Sequence, residues 1–194
     1  IAAPPPTRRE IVKGLVSRKW AKPYYTLSDM ADDAVGLLDH LGIARAHVVG
    51  ASMGGMIAQT IAIEHPSRIL SLTSIMSNTG DRRHGSVGRK VLRHAPTVFR
   101  RDPDVDPVER GVVMFRVISG PLFDEEEARE MVKEALARDP DLEGTYRQML
   151  AIEAAPDRTV ELARVRVPTV VIHGLAAPPV KARGGVATAR GIGG

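Results

Sequence analysis

The run Gly50-Ala51-Ser52-Met53-Gly54-Gly55 sits between the apolar stretch Ala46-His47-Val48-Val49 and the stretch Met56 to His65, which Pro66 closes. No other part of the chain restricts its own folding so tightly. A serine with glycines two places before and two after, leaving a strand and entering a helix, predicts a sharp turn. At such a turn the serine takes a strained backbone, its flanking positions must be nearly free of side chains, and a third small residue, Gly55, lets the helix lie close to the sheet. The turn would hold a nucleophilic hydroxyl where a helix N-terminus offers unpaired N–H groups and positive partial charge to a developing oxyanion. The competing reading is an ordinary glycine-rich turn that binds phosphate. Neither G-x-x-x-x-G-K-[ST] nor G-x-G-x-x-G is present, which weighs against it. Gly85-Ser86-Val87-Gly88 is a decoy: His84 stands where the first glycine would be, no strand precedes it, and it reads as a loop.

The flanking sequence predicts α/β organisation. The first 25 residues look like a loop, with Pro4-Pro5-Pro6, a short helix around Arg9 to Lys19, and Pro23. Thr26 is placed to cap a helix, with Asp29 three residues on as in a capping box. Leu27, Met30, Ala31, Ala34, Leu38 and Leu41 form its apolar face, and Gly42 ends it. Arg68 to Ile75 predicts a second strand, and Pro168 to His173, ended by Gly174, a third. Between them lie helices over Val108 to Ile118, over Glu125 to Arg138 with Asp124 and Glu127 at its cap, and over Leu142 to Ala154. The tail from Ala182 to Gly194 is glycine-rich and short of large apolar residues. Brief apolar strands, the first two joined by a helix, imply a parallel sheet buried on both faces. Three such strands leave two open apolar edges.

Composition removes several classes of function. A hydrophobic content of 43% and a charged content of 26% are those of a soluble globular protein, and no apolar run is long enough to cross a bilayer. No secretory signal pattern is visible, and a cytoplasmic setting is the expectation, although the chain begins without methionine. The absence of cysteine excludes disulfides, thiol catalysis and cysteine-based zinc sites. Basic residues gather at Arg8 to Lys22 and at Arg82 to Arg101, but no nucleic-acid-binding motif accompanies them, so they read as solvated surface. No cluster with metal-ligand spacing is evident, and Glu125-Glu126-Glu127 reads as the charged start of a helix. Of the histidines, His40, His47, His65, His84 and His94 show no convincing carboxylate arrangement, and His173 reads as a structural residue at a strand end.

The chain resembles the α/β-hydrolase fold family, in the lipase and esterase branch that includes aclacinomycin methylesterase. The matching text is Tyr25 to Asp33, Leu37 to Gly42, His47 to Gln59 and Val167 to Gly174. The resemblance implies a hydrolase core in residues 1–78, a helical lid in 79–165 and a second part of the core in 166–194. It implies Ser52 as nucleophile and the backbone N–H of Met53 as one oxyanion donor, with a second N–H from an upstream loop. The expected substrate is a small-molecule ester with a hydrophobic portion, and no cofactor, nucleic acid or membrane span is expected.

Three departures accompany the resemblance. The family's first strands and oxyanion loop lie upstream of the helix at Thr26, and its catalytic histidine lies beyond a last strand. In the family the His-Gly at the end of a strand precedes the catalytic acid, whereas here Ala177 stands in that place. No Asp or Glu follows Glu161. The expectation is therefore a fragment of an incomplete sheet with little or no activity by itself. The alternatives are a non-catalytic ligand-binding relative, or another chemistry on the same fold, such as C–C bond hydrolysis or cofactor-free haloperoxidation.

Overall fold

A computed structural model describes residues 7, 9–10, 13–14, 17–81, 83, 104–140, 143–176 and 182–193. The first long helix, α1 (Leu27–His40), begins where the sequence predicts. Thr26 Oγ1 accepts from the Asp29 N–H at 3.2 Å, and Asp29 Oδ2 accepts from the Thr26 N–H at 2.7 Å. The reciprocal bonds satisfy two donors that a helix start otherwise leaves unpaired. Leu27, Ala31 and Val35 are its buried stripe, while Leu41, beyond the last turn, is 58% exposed. Gly42 follows at φ +66, the left-handed conformation that closes helices.

Replacing Thr26 with alanine is expected to cost about 1 kcal/mol, read as a lower urea midpoint at unchanged slope. The cap also carries a pH signature. The Thr26 N–H, and then its hydroxyl, hold the Asp29 carboxyl below the usual aspartate range. A depressed folded-state value makes the contribution present above the unfolded aspartate value, near pH 4. It is lost as pH falls through the folded value, and Asp29→Asn should flatten that part of the acid limb.

Strands β1 (Ala46–Ala51), β2 (Ile69–Ile75) and β3 (Thr169–Ile172) form one parallel sheet in that order. Helix α2 (Met53–Glu64) joins β1 to β2, and a short 3₁₀ turn, Pro66–Arg68, leads into β2. Helices α1 and α2 cover one face of the sheet. There Ala31, Val35, Ala58, Ile61 and Ala62 meet Ile69 and Leu72, with Val48 partly buried against them. Leu162 from the short α6 (Thr159–Leu162) and Val165 complete this core.

The expectation of burial on both faces is corrected here. Register pairs Val49 with Thr73 and Thr73 with Val170, then Ala51 with Ile75 and Ile75 with Ile172. Paired residues of a parallel ladder project to the same side, so these rows form the outer face. Val49 is 64% exposed, Val170 55% and Ile172 49%. Such a surface favours self-association. The purified 194-residue chain is expected to bind 1-anilinonaphthalene-8-sulfonate and to sediment as concentration-dependent assemblies; a monomer with a sharp thermal transition and no dye binding would contradict this.

Among the described residues, α3 (Pro107–Ile118), α4 (Glu125–Arg138) and α5 (Glu143–Ala154) lie between β2 and β3, ahead of the short α6. Asp106 caps α3 by accepting from Val108 and Glu109, and Asp124 caps α4 by accepting from Glu126 and Glu127. Arg129 of α4 is ion-paired with Glu109 of α3 and with Glu125 one turn back. The decoy at Gly85 to Gly88, His84, His94 and Ala177 lie outside the described residues. No helix among the described residues is long and apolar enough to cross a membrane.

The glycine-rich tail, to which the sequence assigns no element, contains a helix, α7 (Ala182–Gly193). Glycine disfavours helix locally, but here it permits close packing. A Cβ on Gly185 would lie 2.7 Å from both Cβ and Nδ1 of His173 at the end of β3. Thr188 is fully buried, and Ile192 packs against the main core. Tertiary contact overrides propensity.

Candidate active site

The turn after β1 has the conformation that the sequence demands. Ser52 lies at φ 54, ψ −117, outside the regions that side-chain-bearing residues ordinarily occupy. Three hydrogen bonds hold it there. Its N–H donates to Ile75 O at 2.8 Å, and its carbonyl accepts from Gly55 N at 3.1 Å and Met56 N at 3.3 Å. The sheet thus fixes one side of the peptide unit and the helix fixes the other. Ser52 is exposed, and its hydroxyl does not cap the helix that it precedes. Met53 is the first residue of α2, and its N–H has no acceptor among the described residues.

The glycines are not equivalent. A Cβ on Gly50 would stand 2.1 Å from Gly54 O and 2.7 Å from Gly55 N, both backbone atoms. A Cβ on Gly55 would stand 2.7 Å from Ser77 Cβ and 3.0 Å from Gly50 O. A Cβ on Gly54 would meet nothing within 4 Å. The expectation that the position two after the serine must lack a side chain is corrected on this point. The close approach of helix to strand is made at Gly50 and Gly55.

Ser52, Met76 and His173 follow the C-terminal ends of β1, β2 and β3, the edge where parallel sheets carry their sites. Ser52 and Met76 (φ 47) are the two non-glycine residues with positive φ among those described. Met76 N–H donates to Ile172 O at 2.8 Å, so the third strand pins the second loop as β2 pins the first. Beneath this edge runs a buried polar network absent from the sequence reading. Gln59, fully buried on α2, donates to Ser74 Oγ at 3.1 Å and accepts from Arg158 Nη2 at 3.4 Å. Arg158, 5% exposed, also donates to Asn78 O at 3.0 Å through Nη2 and to Thr79 O at 2.7 Å through its backbone N–H. The network ties α2, the segment after β2 and the start of α6 together. Arg158 lies 80 residues from Asn78 and 99 from Gln59, so no local pattern could reveal the network.

The histidines fall in separate places. The His173 ring packs against α7 at Gly185. On the outer sheet face, the Nδ1 of His47 is 2.7 Å from Ser71 Oγ. His65 corrects the reading that none has a carboxylate arrangement, since its Nε2 is 2.8 Å from Asp32 Oδ1. That pair belongs to the C-terminal end of α2, opposite Ser52, so it cannot serve the serine. A cleft of about 200 Å³, lined by Thr26, Leu27, Thr60, Glu64, Arg158 and Glu161, also lies toward that end. It is not an acyl pocket for Ser52.

The sequence description of the alpha/beta hydrolase fold matches residues 6–175. The chain belongs to the alpha/beta hydrolase fold family. Among its relatives, rhodomycin D methylesterase DauP from Streptomyces sp. (strain C5) is 30% identical, over 82% of this chain and 61% of the methylesterase. A 2-hydroxy-6-oxononadienedioate/2-hydroxy-6-oxononatrienedioate hydrolase from Burkholderia vietnamiensis (strain G4 / LMG 22486) is 31% identical, over 72% of this chain and 48% of that enzyme. The crystal structure of the enol-lactonase from Burkholderia xenovorans LB400 superposes with a TM-score of 0.60 at 27% identity, covering 88% of this chain and 62% of the lactonase. The hydrolase-fold chain thus spans less than two thirds of each of these proteins. Among the described residues, its three parallel strands form an unclosed α/β-hydrolase sheet joined by helices.

Proposed function

We propose that Ser52 is the nucleophile of a carboxylic ester hydrolase that works through an acyl-enzyme. In this reaction Ser52 Oγ attacks the ester carbonyl and its proton passes to a histidine held by a carboxylate. The Met53 N–H, with a second N–H from an upstream loop, stabilises the oxyanion. The alcohol leaves, and water then releases the acid. One observation carries the reading: an exposed serine held at φ 54 between strand and helix, beside an unpaired helix-start N–H. Strain of that kind persists where the surrounding structure over-determines it, and it clusters at reactive sites. The methylesterase relative supports an ester substrate, and helices α3 to α5, in the place of the family's lid, support one with a hydrophobic portion.

The 194 residues by themselves are proposed to turn over little or no ester. Ala177 stands in the acid's place, no Asp or Glu follows Glu161, and His173 is packed against α7. Loss of one triad member costs about 10⁴- to 10⁶-fold in rate. With p-nitrophenyl butyrate as substrate, the purified chain should stay near the uncatalysed rate. Cleavage by this chain, abolished in Ser52→Ala, would overturn the inactivity and leave the nucleophile standing. A second reading, C–C bond hydrolysis on the same serine, is favoured by the relative named for a dienedioate substrate. A substrate panel on a chain completed with the acid (Ala177→Asp) and a relative's histidine-bearing segment separates the two.

A further inference from the structure

We propose that Asp32, Glu64 and His65 form a binding site for a divalent metal ion of the zinc class, clamping α1 to the C-terminal end of α2. The inference is independent of the chemistry at Ser52. One ligand atom from each residue lies within 4.8 Å of the other two. Zinc bonds of about 2.0–2.2 Å in a tetrahedral shell place ligand atoms roughly 3.3–3.5 Å apart, so small side-chain rotations suffice. Those rotations are available, because the Asp32 side chain is 65% exposed and that of His65 28%. One imidazole with two carboxylates is a donor set that suits zinc, cobalt or nickel and leaves room for water.

Three further features favour a cation here. Glu64 Oε1 accepts from Ser28 Oγ at 2.8 Å, an outer hydrogen bond of the sort that orients a metal-binding carboxylate. Glu64 is the last residue of α2 and His65 its cap, so the site receives the negative partial charge of the helix's final carbonyls. Arg68, the basic residue of the turn that follows, is directed elsewhere, to Asp39 at 2.7 Å and to the carbonyls of Ile43 and Ala44. The backbone bearing the ligands is already fixed by packing of Ala31 and Val35 with Ala58, Ile61 and Ala62, so binding orders side chains alone. A helix of 12 residues separates the site from Ser52 by about 18 Å, which makes its role a clamp and not a part of hydrolysis.

The test strips the whole chain with a chelator and titrates it with Co²⁺, then Zn²⁺. Visible cobalt absorption and calorimetric stoichiometry are the readouts, and neither depends on esterase activity. The expected result is one ion per chain, cobalt bands displaced by zinc, and affinity at least tenfold weaker in each of His65→Ala, Asp32→Asn and Glu64→Gln. His40→Ala should leave binding unchanged, and far-UV circular dichroism should show the same helix content in all variants. No uptake at millimolar metal would overturn the proposal. Equal binding in wild type and His65→Ala, or loss in His65→Ala with full binding in Glu64→Gln, would do so as well.

Discussion

Ser52→Ala, made in a chain completed with the acid (Ala177→Asp) and a relative's histidine-bearing segment, is expected to lower ester hydrolysis by about 10⁴- to 10⁶-fold in kcat with little change in KM. Removing Oγ deletes the bond-forming atom and leaves the backbone donors in place, so substrate binding survives while chemistry does not. Ser52→Gly should be equally inactive, yet more stable by about 1 kcal/mol. The residue sits at φ 54, where a Cβ is costly and glycine is not. This opposition of activity and stability separates a catalytic serine from a merely structural one. A structural serine would lose stability with both substitutions and activity with neither.

Gly50→Ala should be among the most damaging small substitutions in the described structure, and Gly54→Ala one of the mildest. The added methyl at position 50 would overlap the Gly54 carbonyl at 2.1 Å, and neither partner is a side chain that could turn away. Overpacking in a tight interior costs about 1–3 kcal/mol even where side chains can adjust; against backbone the cost should exceed that range. At position 54 the methyl meets open space, and replacing a helical glycine by alanine stabilises by up to about 1 kcal/mol. Urea denaturation of both variants decides the matter. Equal losses would show that the packing of α2 on β1 is not as described.

What the sequence revealed was local, and what it concealed was long-range. Thr26 with Asp29, and Asp124 before Glu125, announce helix starts because capping involves residues two or three apart. The elbow was legible for the same reason: strand, serine and helix are contiguous. Strand β1 runs on to Ala51 because Gly50 and Ala51 still pair with Ser74 and Ile75, a contact with no local signature. The close approach at Gly55 was legible, but the motif also demanded a small residue at position 54, where a Cβ would meet open space, because it does not say which helical face meets the strand. Helix α7 was missed because Gly184 and Gly185 oppose helix locally, and the close contact that accounts for Gly185 is with His173, far away in sequence. The pairing of His65 with Asp32 spans 33 residues, and the Arg158 network spans more. The acid's place at Ala177 lies outside the described residues, so its reading rests on the sequence alone.

The most direct measurement is mass spectrometry of the completed chain after brief incubation with p-nitrophenyl butyrate or a fluorophosphonate. An acyl or phosphonyl adduct confined to the peptide containing Ser52, and absent in Ser52→Ala, is the result expected. Turnover of the ester with the Ser52 peptide unmodified, or undiminished turnover in Ser52→Ala, would contradict the assignment of this serine as the nucleophile.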